Sequence, residues 1–397
     1  MFLEFFIWGA WFVTLGTFLG TNLKASGAET AAVFSTQSWG AIIAPFIIGL
    51  IADRYFNAER ILGVLHLVGA FLMYQMYQSS DLSSFYIYVF SYMVLYMPTL
   101  ALVNSVAFNQ MKDPEKEFSS IRVWGTIGWI VAGLSISYVF HWDSVESLAN
   151  GMLKNTFLLA GIAALVLGLL SFTLPATPPK VSDEKIKIGD IIGLDALKLL
   201  KDKNFAVFFI SSILICIPLA FYYQNANPFL TESGLENPTG KMAIGQISEA
   251  LFLLLIPVFF TKYGFKKTIL VGMLAWAIRY ALFAYGNGGE LSFMLIIGIA
   301  LHGICYDFFF VSGQIYTNSK AGDKYKSAAQ GLITLATYGV GMLIGFAVAG
   351  WITDNYKTAT GTINWEMVWI IPAGIALAVF VLFALTFNDK NKTEVSH

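Results

Sequence analysis

Long apolar runs separated by short polar breaks set the pattern of this chain. A helix needs about 20 mainly apolar residues to cross about 30 Å of hydrocarbon. Windows of that length recur twelve times, near 2–21, 32–52, 61–79, 84–108, 119–140, 152–174, 205–230, 242–261, 267–286, 291–317, 329–352 and 364–387. The runs are continuous rather than alternating, which excludes a closed β-barrel. The expected fold is an all-α polytopic membrane protein, with twelve transmembrane helices in two six-helix halves. The chain opens on FFIWGAWFVTLG. A signal peptide is the alternative to a first span, but no basic segment precedes the run and many spans follow it.

One long polar segment interrupts the series. It starts PATPPK, passes through VSDEKIKIGD and ends LKLLKDKN. Its prolines and dense charge mark a linker, with an amphipathic turn around Ile191–Leu200 expected to lie along the membrane interface. The domains expected are therefore an N-terminal half over 1–174, a cytoplasmic linker over 175–204, a C-terminal half over 205–387 and a tail over 388–397.

Composition narrows the class. The chain is 57% hydrophobic, 16% aromatic and only 12% charged, where soluble domains carry about 25% charged residues. Its net charge of −1 gives no reason to expect nucleic acid as a partner. Cys216 and Cys305 both fall in apolar spans, so neither a disulfide framework nor a metal site follows from them. No GxxxxGK[ST] loop, HExxH motif, paired histidines or nucleophile motif is present. The expectation is therefore no cofactor, no metal and no enzymatic activity.

Basic residues set the orientation. Arg54, Arg60 and the lysines of the even loops, the linker and the tail number eighteen, against Lys24, Lys154, Lys241 and Lys357 in the odd loops. Positive charge collects on the cytoplasmic side, so both termini and the linker are expected there. Arg122 and Arg279 are left over, within or at the edge of apolar spans.

Polar residues inside spans are costly and mark candidate chemistry. The richest stretch is LHGICYDFFFVSG, Leu301–Gly313. His302 and Tyr306 are four apart and share a helix face, with Asp307 about 100° further round. Arg122, Thr126 and Trp129 form a stripe on span five. The guanidinium offers five donors, and the indole can stack on a ring or cover a sugar face. The alternative leaves Arg122 at the cytoplasmic edge, reaching for water or a loop acid. Gln246 and Glu249 are three apart on span eight and together suit vicinal hydroxyls; a helix-packing hydrogen bond is the other reading. In span seven, Pro218 and Pro228 are expected to interrupt the helix and free amides towards a cavity. Trp8 and Trp11 read as span-one residues or as interfacial anchors. Gly341 and Gly345 give the GxxxG spacing of close helix packing.

Twelve spans, the six-plus-six division and GLIADR after span two resemble the major facilitator superfamily. There Gly49, Asp53 and Arg54 would form the cytoplasmic gating loop; a solvated ion pair is the plainer alternative. More specific strings resemble the bacterial nucleoside:proton symporters. They are WGAWFVTLG, YMPTLALVN, IRVWGTIG, GLDALKLLKDK, QISEALFLLLIP, RYALFAYG, YDFFFVSG and the closing TEVSH.

The resemblance implies nucleoside import by proton symport through alternating access, in the bacterial inner membrane. Substrate would bind near the midplane between the halves, which rock against each other. It implies substrate contacts at Arg122, Thr126 and Trp129, at Gln246 and Glu249, and at His302 and Tyr306. His302 departs from the family's aromatic residue, and a structural histidine is the alternative. The family's two amide positions on span seven fall on Ala220 and Tyr223 here, so Gln224, Asn225 or Asn227 are candidates to substitute. Asp307 and Glu249 are rival proton carriers, with Arg279 as a candidate partner for Asp307. The partners expected are a nucleoside, a proton and the lipid bilayer, with the chain a monomer. A symporter of the same fold for sugars, a membrane-embedded enzyme and a non-transporting receptor are the rival functions.

Overall fold

The computed structural model describes residues 1–47, 56–179, 194–359 and 361–388. The described residues are almost wholly helical; their one β feature is an isolated bridge between Lys357 and Ile363. The chain folds as two compact units. Unit 1 holds Met1–Lys187 and Glu236–Ala243, and unit 2 holds Ile188–Leu235 and Ile244–His397.

In unit 1 the first span is two helices, α1 (Phe2–Phe12) and α2 (Leu15–Thr21). They part at Thr14, whose hydroxyl turns back to the Trp11 carbonyl at 3.2 Å. α3 (Gly27–Ile47), α4 (Ala58–Gln78) and α5 (Leu82–Gln110) follow. α6 (Pro114–Leu134) ends in a π turn, Ser135–Val139. The short α7 (Val145–Ala149) leads to α8 (Asn155–Ser171). Aromatic rings fill the core: Trp11 packs on Tyr92 at 5.6 Å and on Phe157 at 5.9 Å. Trp11 is fully buried, so it is a core residue and not an interfacial anchor. Residues 236–243 join this unit through Asp143 Oδ2, which accepts from the Thr239 amide at 3.1 Å, and Ser137 Oγ, which accepts from the Gly240 amide at 2.7 Å.

Unit 2 begins with a 3₁₀ turn, Leu194–Lys201. Ala196 in that turn is buried with Ala321, Ala329 and Leu332. The expected interfacial turn is thus docked on protein, because its small face matches alanines on a neighbouring helix. Asp202 then caps α9 (Lys203–Glu232), accepting from the Asn204 and Phe205 amides at 2.8 and 3.0 Å. α9 runs unbroken through Pro218 and Pro228, contrary to the expected interruption.

α10 (Pro238–Tyr285) is 48 residues long. At about 1.5 Å per residue it far exceeds one bilayer. It divides at Gly264, whose φ of 75° lies in the left-handed region that glycine tolerates. The predicted windows 242–261 and 267–286 are its two arms. The next spans comprise α11 (Ser292–Ala300), α12 (His302–Tyr306), a π turn at Asp307–Val311 and α13 (Ser312–Thr334), which breaks at Gly322. A second π turn (Leu335–Gly341), α14 (Met342–Asn355) and α15 (Trp365–Thr386) complete the unit.

Gly341 and Gly345 set α14 tightly on α9. A Cβ on Gly345 would lie 2.6 Å from the Ala220 Cβ and 2.9 Å from the Cys216 carbonyl oxygen. The GxxxG spacing thus does what close packing requires. Cys216 and Cys305 are both buried and unbridged.

Nine helical stretches among the described residues are each long and apolar enough to cross a bilayer, with α1 and α2 taken together, Ser292–Gly322 taken as one and α10 counted once. α3 and α6 fall short because α3 carries Glu29, Thr36, Gln37 and Ser38, and α6 opens on PEKEFSS. The fold is the twelve-span, two-half architecture expected from the hydropathy pattern.

Candidate functional site

Unit 2 gathers the polar residues of several spans into one cluster. Its assembly starts with two glycines. A Cβ on Gly303 would lie 2.5 Å from the Ser248 carbonyl carbon and oxygen, and 2.6 Å from the Glu249 amide nitrogen. A Cβ on Gly245 would meet the His302 Cβ at 3.2 Å. Without side chains there, α12 lies directly against the first arm of α10, and His302 comes next to Glu249.

Arg279, on the second arm of α10, is fully buried. Its guanidinium carbon lies 3.7 Å from the centre of the Tyr222 ring, and Nη1 donates to His302 Nδ1 at 3.0 Å. A guanidinium has no acceptor, so Nδ1 is the bare nitrogen and the histidine proton resides on Nε2. That nitrogen faces Glu249 Oε2 at 3.8 Å. Tyr222 also stacks on the His302 ring, with centroids 5.3 Å apart. The result is a fixed order of Arg279, His302 and Glu249 across neighbouring helices.

Asp307 lies at the start of the π turn and is 1% exposed. Among the described residues no donor reaches its Oδ2, and no ion pair joins it to Arg279. The expected Arg279–Asp307 pair is replaced by the bond from Arg279 to His302. The physical reason is the stacking of Arg279 on Tyr222, which aims Nη1 at the histidine. Glu249 lies within electrostatic range of Asp307.

Gln246 and Glu249 share one face of α10 and are both half-buried. Tyr306 is half-buried, and its hydroxyl is hydrogen-bonded to that of Tyr338. Tyr223 is half-buried on α9, one residue before Gln224. Gln224, one residue on, is 1% exposed, with no partner for either side-chain amide atom among the described residues. Asn225 is spent on packing, donating to Thr353 Oγ1 at 3.1 Å. Sequence reasoning missed Tyr338 and Tyr222. Tyr338 lies in an apolar window read only for its glycines, although Thr337 and Tyr338 are polar positions there.

Unit 1 presents Arg122, Thr126 and Trp129 on α6, all half-buried. Arg122 stacks over the Phe5 ring at 4.2 Å, and no carboxylate pairs with it among the described residues. Trp129 packs against Gly9, where a Cβ would lie 3.1 Å from it, and edge-on to Trp8 at 5.5 Å. Arg122 and Trp129 thus both lie along α1, with Thr126 between them on the same stripe of α6. Gly49, Asp53 and Arg54 lie outside the described residues. No group of three or more His, Cys, Asp or Glu among the described residues could hold a metal ion.

Several known proteins are similar to this chain in sequence and fold. Residues 1–392 match the family profile described as nucleoside H⁺ symporter. YegT of Escherichia coli (strain K12), provisionally named a nucleoside transporter, is 42% identical over 98% of this chain and 93% of its own length. The nucleoside permease NupG of the same strain is 31% identical over 98% of this chain and 94% of its own length. A crystal structure of nucleoside transporter NupG superposes with a TM-score of 0.86, at 30% identity, covering 98% of this chain and 97% of that one.

Proposed function

This chain belongs to the nucleoside H⁺ symporter family, and we propose that it imports nucleosides across the bacterial inner membrane with a proton as co-substrate. It is a transporter and not an enzyme. The many large apolar side chains exposed on its helices, among them Leu254 and Leu385, suit a lipid surround. The loop charges favour cytoplasmic termini, and the chain is proposed to work as a monomer.

The observation that carries the reading is the buried polar cluster of unit 2. Gln246 and Glu249 offer donors and acceptors to ribose hydroxyls, and Tyr306, Tyr223 and His302 offer rings and polar edges to a base. Gln224 adds an unmatched amide at the same level of α9. Within unit 1, α6 separately presents a cation, a hydroxyl and a stacking surface in Arg122, Thr126 and Trp129, chemistry that also suits a nucleoside. Family membership favours a nucleoside over the sugar alternative, which the hydroxyl-binding residues alone would allow.

Coupling is assigned to Asp307. A buried carboxylate without a donor is costly when charged, so it has reason to bind a proton before the site changes its access. Glu249, already committed beside Gln246 and His302, binds substrate and senses that protonation through its field. Arg279 acts as a positioning residue through His302.

Uptake of labelled uridine and adenosine into proteoliposomes tests the function. An outside-acidic gradient is expected to drive accumulation that a protonophore abolishes and that excess free ribose or hexose does not displace. Equal uptake with and without the gradient would refute proton symport.

A further inference from the structure

Unit 1 buries a carboxylate of its own inside a span. Glu4, in the first turn of α1, has no exposed surface. His66 of α4 and Thr99 of α5 are 2% and 1% exposed and meet it from either side. His66 Nε2 lies 2.8 Å from Glu4 Oε2, and the Tyr96 hydroxyl donates to the Glu4 backbone oxygen at 2.7 Å. Both residues lie in helices whose length and composition suit a membrane span.

Thr99 meets two oxygens at once. Its Oγ1 lies 2.6 Å from Glu4 Oε1 and 2.6 Å from the Tyr96 carbonyl oxygen. Both distances are hydrogen-bond lengths, yet a hydroxyl carries one hydrogen and the carbonyl carries none. The two contacts are satisfied together when Thr99 donates to the carbonyl and Glu4, as the neutral acid, donates to Thr99. Glu4 Oε2 is then free to accept from His66 Nε2–H. Every member of the chain is matched, and no net charge is left in an apolar environment, where a lone carboxylate is costly.

We propose that Glu4, braced by His66 and Thr99, is a second proton-binding site of this transporter, separate from Asp307. Losing the proton would turn the Thr99 hydroxyl from the Tyr96 carbonyl to Glu4 Oε1. The link between α1 and α5 is therefore rewired by protonation.

The ionisable groups around Glu4 are few. The Met1 amino group lies on its own helix start, His66 on α4, Tyr92 and Tyr96 on α5, and Arg122 on α6. α8 carries no ionisable side chain. Arg122 sits over Phe5, the residue next to Glu4, so a ligand at Arg122 and a proton at Glu4 would sense each other.

The inference deepens the symport reading and rests on it only for its role in transport. The test is infrared spectroscopy of the full-length protein in lipid, titrated from mildly acidic to alkaline pH, with uptake measured in parallel. The wild type is expected to show a protonated-carboxyl carbonyl band that Glu4→Gln removes and Asp307→Asn retains. Thr99→Val, which keeps Glu4 and His66 but removes the acceptor of the acid proton, is expected to shift that band. An unchanged carbonyl region in Glu4→Gln would overturn the proposal. Should that variant not fold, an unshifted band in Thr99→Val would overturn it equally. Absence of gradient-driven uptake in the wild type would instead count against symport and leave the infrared result standing.

Discussion

Arg279 donates from Nη1 to His302 Nδ1 over 3.0 Å, and this bond decides which histidine nitrogen carries the proton. Burial leaves the guanidinium few alternatives: Nε and Nη2 have no partner among the described residues. His302→Leu removes the acceptor and should destabilise the protein by about 1–3 kcal/mol, the cost of stranding a buried polar group. His302→Gln keeps an acceptor for Arg279 and should lose less. Thermal unfolding in detergent compares the two; equal midpoints for the variants would argue against the bond.

Gln246→Ala should weaken nucleoside binding and leave the fold intact, since the residue is half-buried on an α10 face. Loss of one good hydrogen bond costs about 0.5–1.5 kcal/mol, or about two- to tenfold in Kd. Calorimetric titration with uridine checks this, and an unchanged Kd would remove Gln246 from the site.

Gly303→Ala places a Cβ 2.5 Å from the Ser248 backbone. Overpacking of this kind costs about 1–3 kcal/mol, and here it would also push His302 away from Glu249. A lowered melting temperature together with weakened nucleoside binding is expected. Wild-type values for both would show that the helices can part without consequence.

Asp202 gives a pH-dependent effect outside the spans. Burial raises its carboxyl, but the Phe205 amide, Lys320 and the Asn204 amide together hold it below the ordinary aspartate value. A depressed acid stabilises above its unfolded pKa and loses that contribution as pH falls through its folded pKa. Asp202→Ala should therefore cost about 0.5–2 kcal/mol at neutral pH, and the gap to wild type should close in acid. Asp202→Asn, which retains a capping oxygen, should lose little, because an exposed pair with Lys320 is worth at most about 1 kcal/mol. Melting curves across pH test the sign; a gap that widens in acid would contradict it.

Hydropathy alone carried the architecture, because a bilayer demands long apolar helices wherever the chain crosses it. Periodicity likewise grouped Arg122, Thr126 and Trp129, and paired Gln246 with Glu249, since each set lies on one helix. What it could not supply was the meeting of different helices. Arg279 turned to His302 rather than to Asp307 because Tyr222, on another span, holds its guanidinium. Glu4 and His66 stand 62 positions apart. Each is a polar residue in an apolar span, the same signal that singled out Asp307, but only the folded unit shows that they touch. Pro218 and Pro228 misled for a related reason: neighbouring helices keep α9 continuous where local propensity predicts a break.

The coupled proton is assigned to Asp307. The most direct test of that assignment is Asp307→Asn in proteoliposomes, with gradient-driven accumulation and nucleoside counterflow measured side by side. Accumulation should be abolished while counterflow exchange and nucleoside binding persist, because the amide cannot release a proton but leaves the substrate residues in place. An Asp307→Asn protein that still concentrates nucleoside against its gradient would contradict the account and pass the role to Glu249.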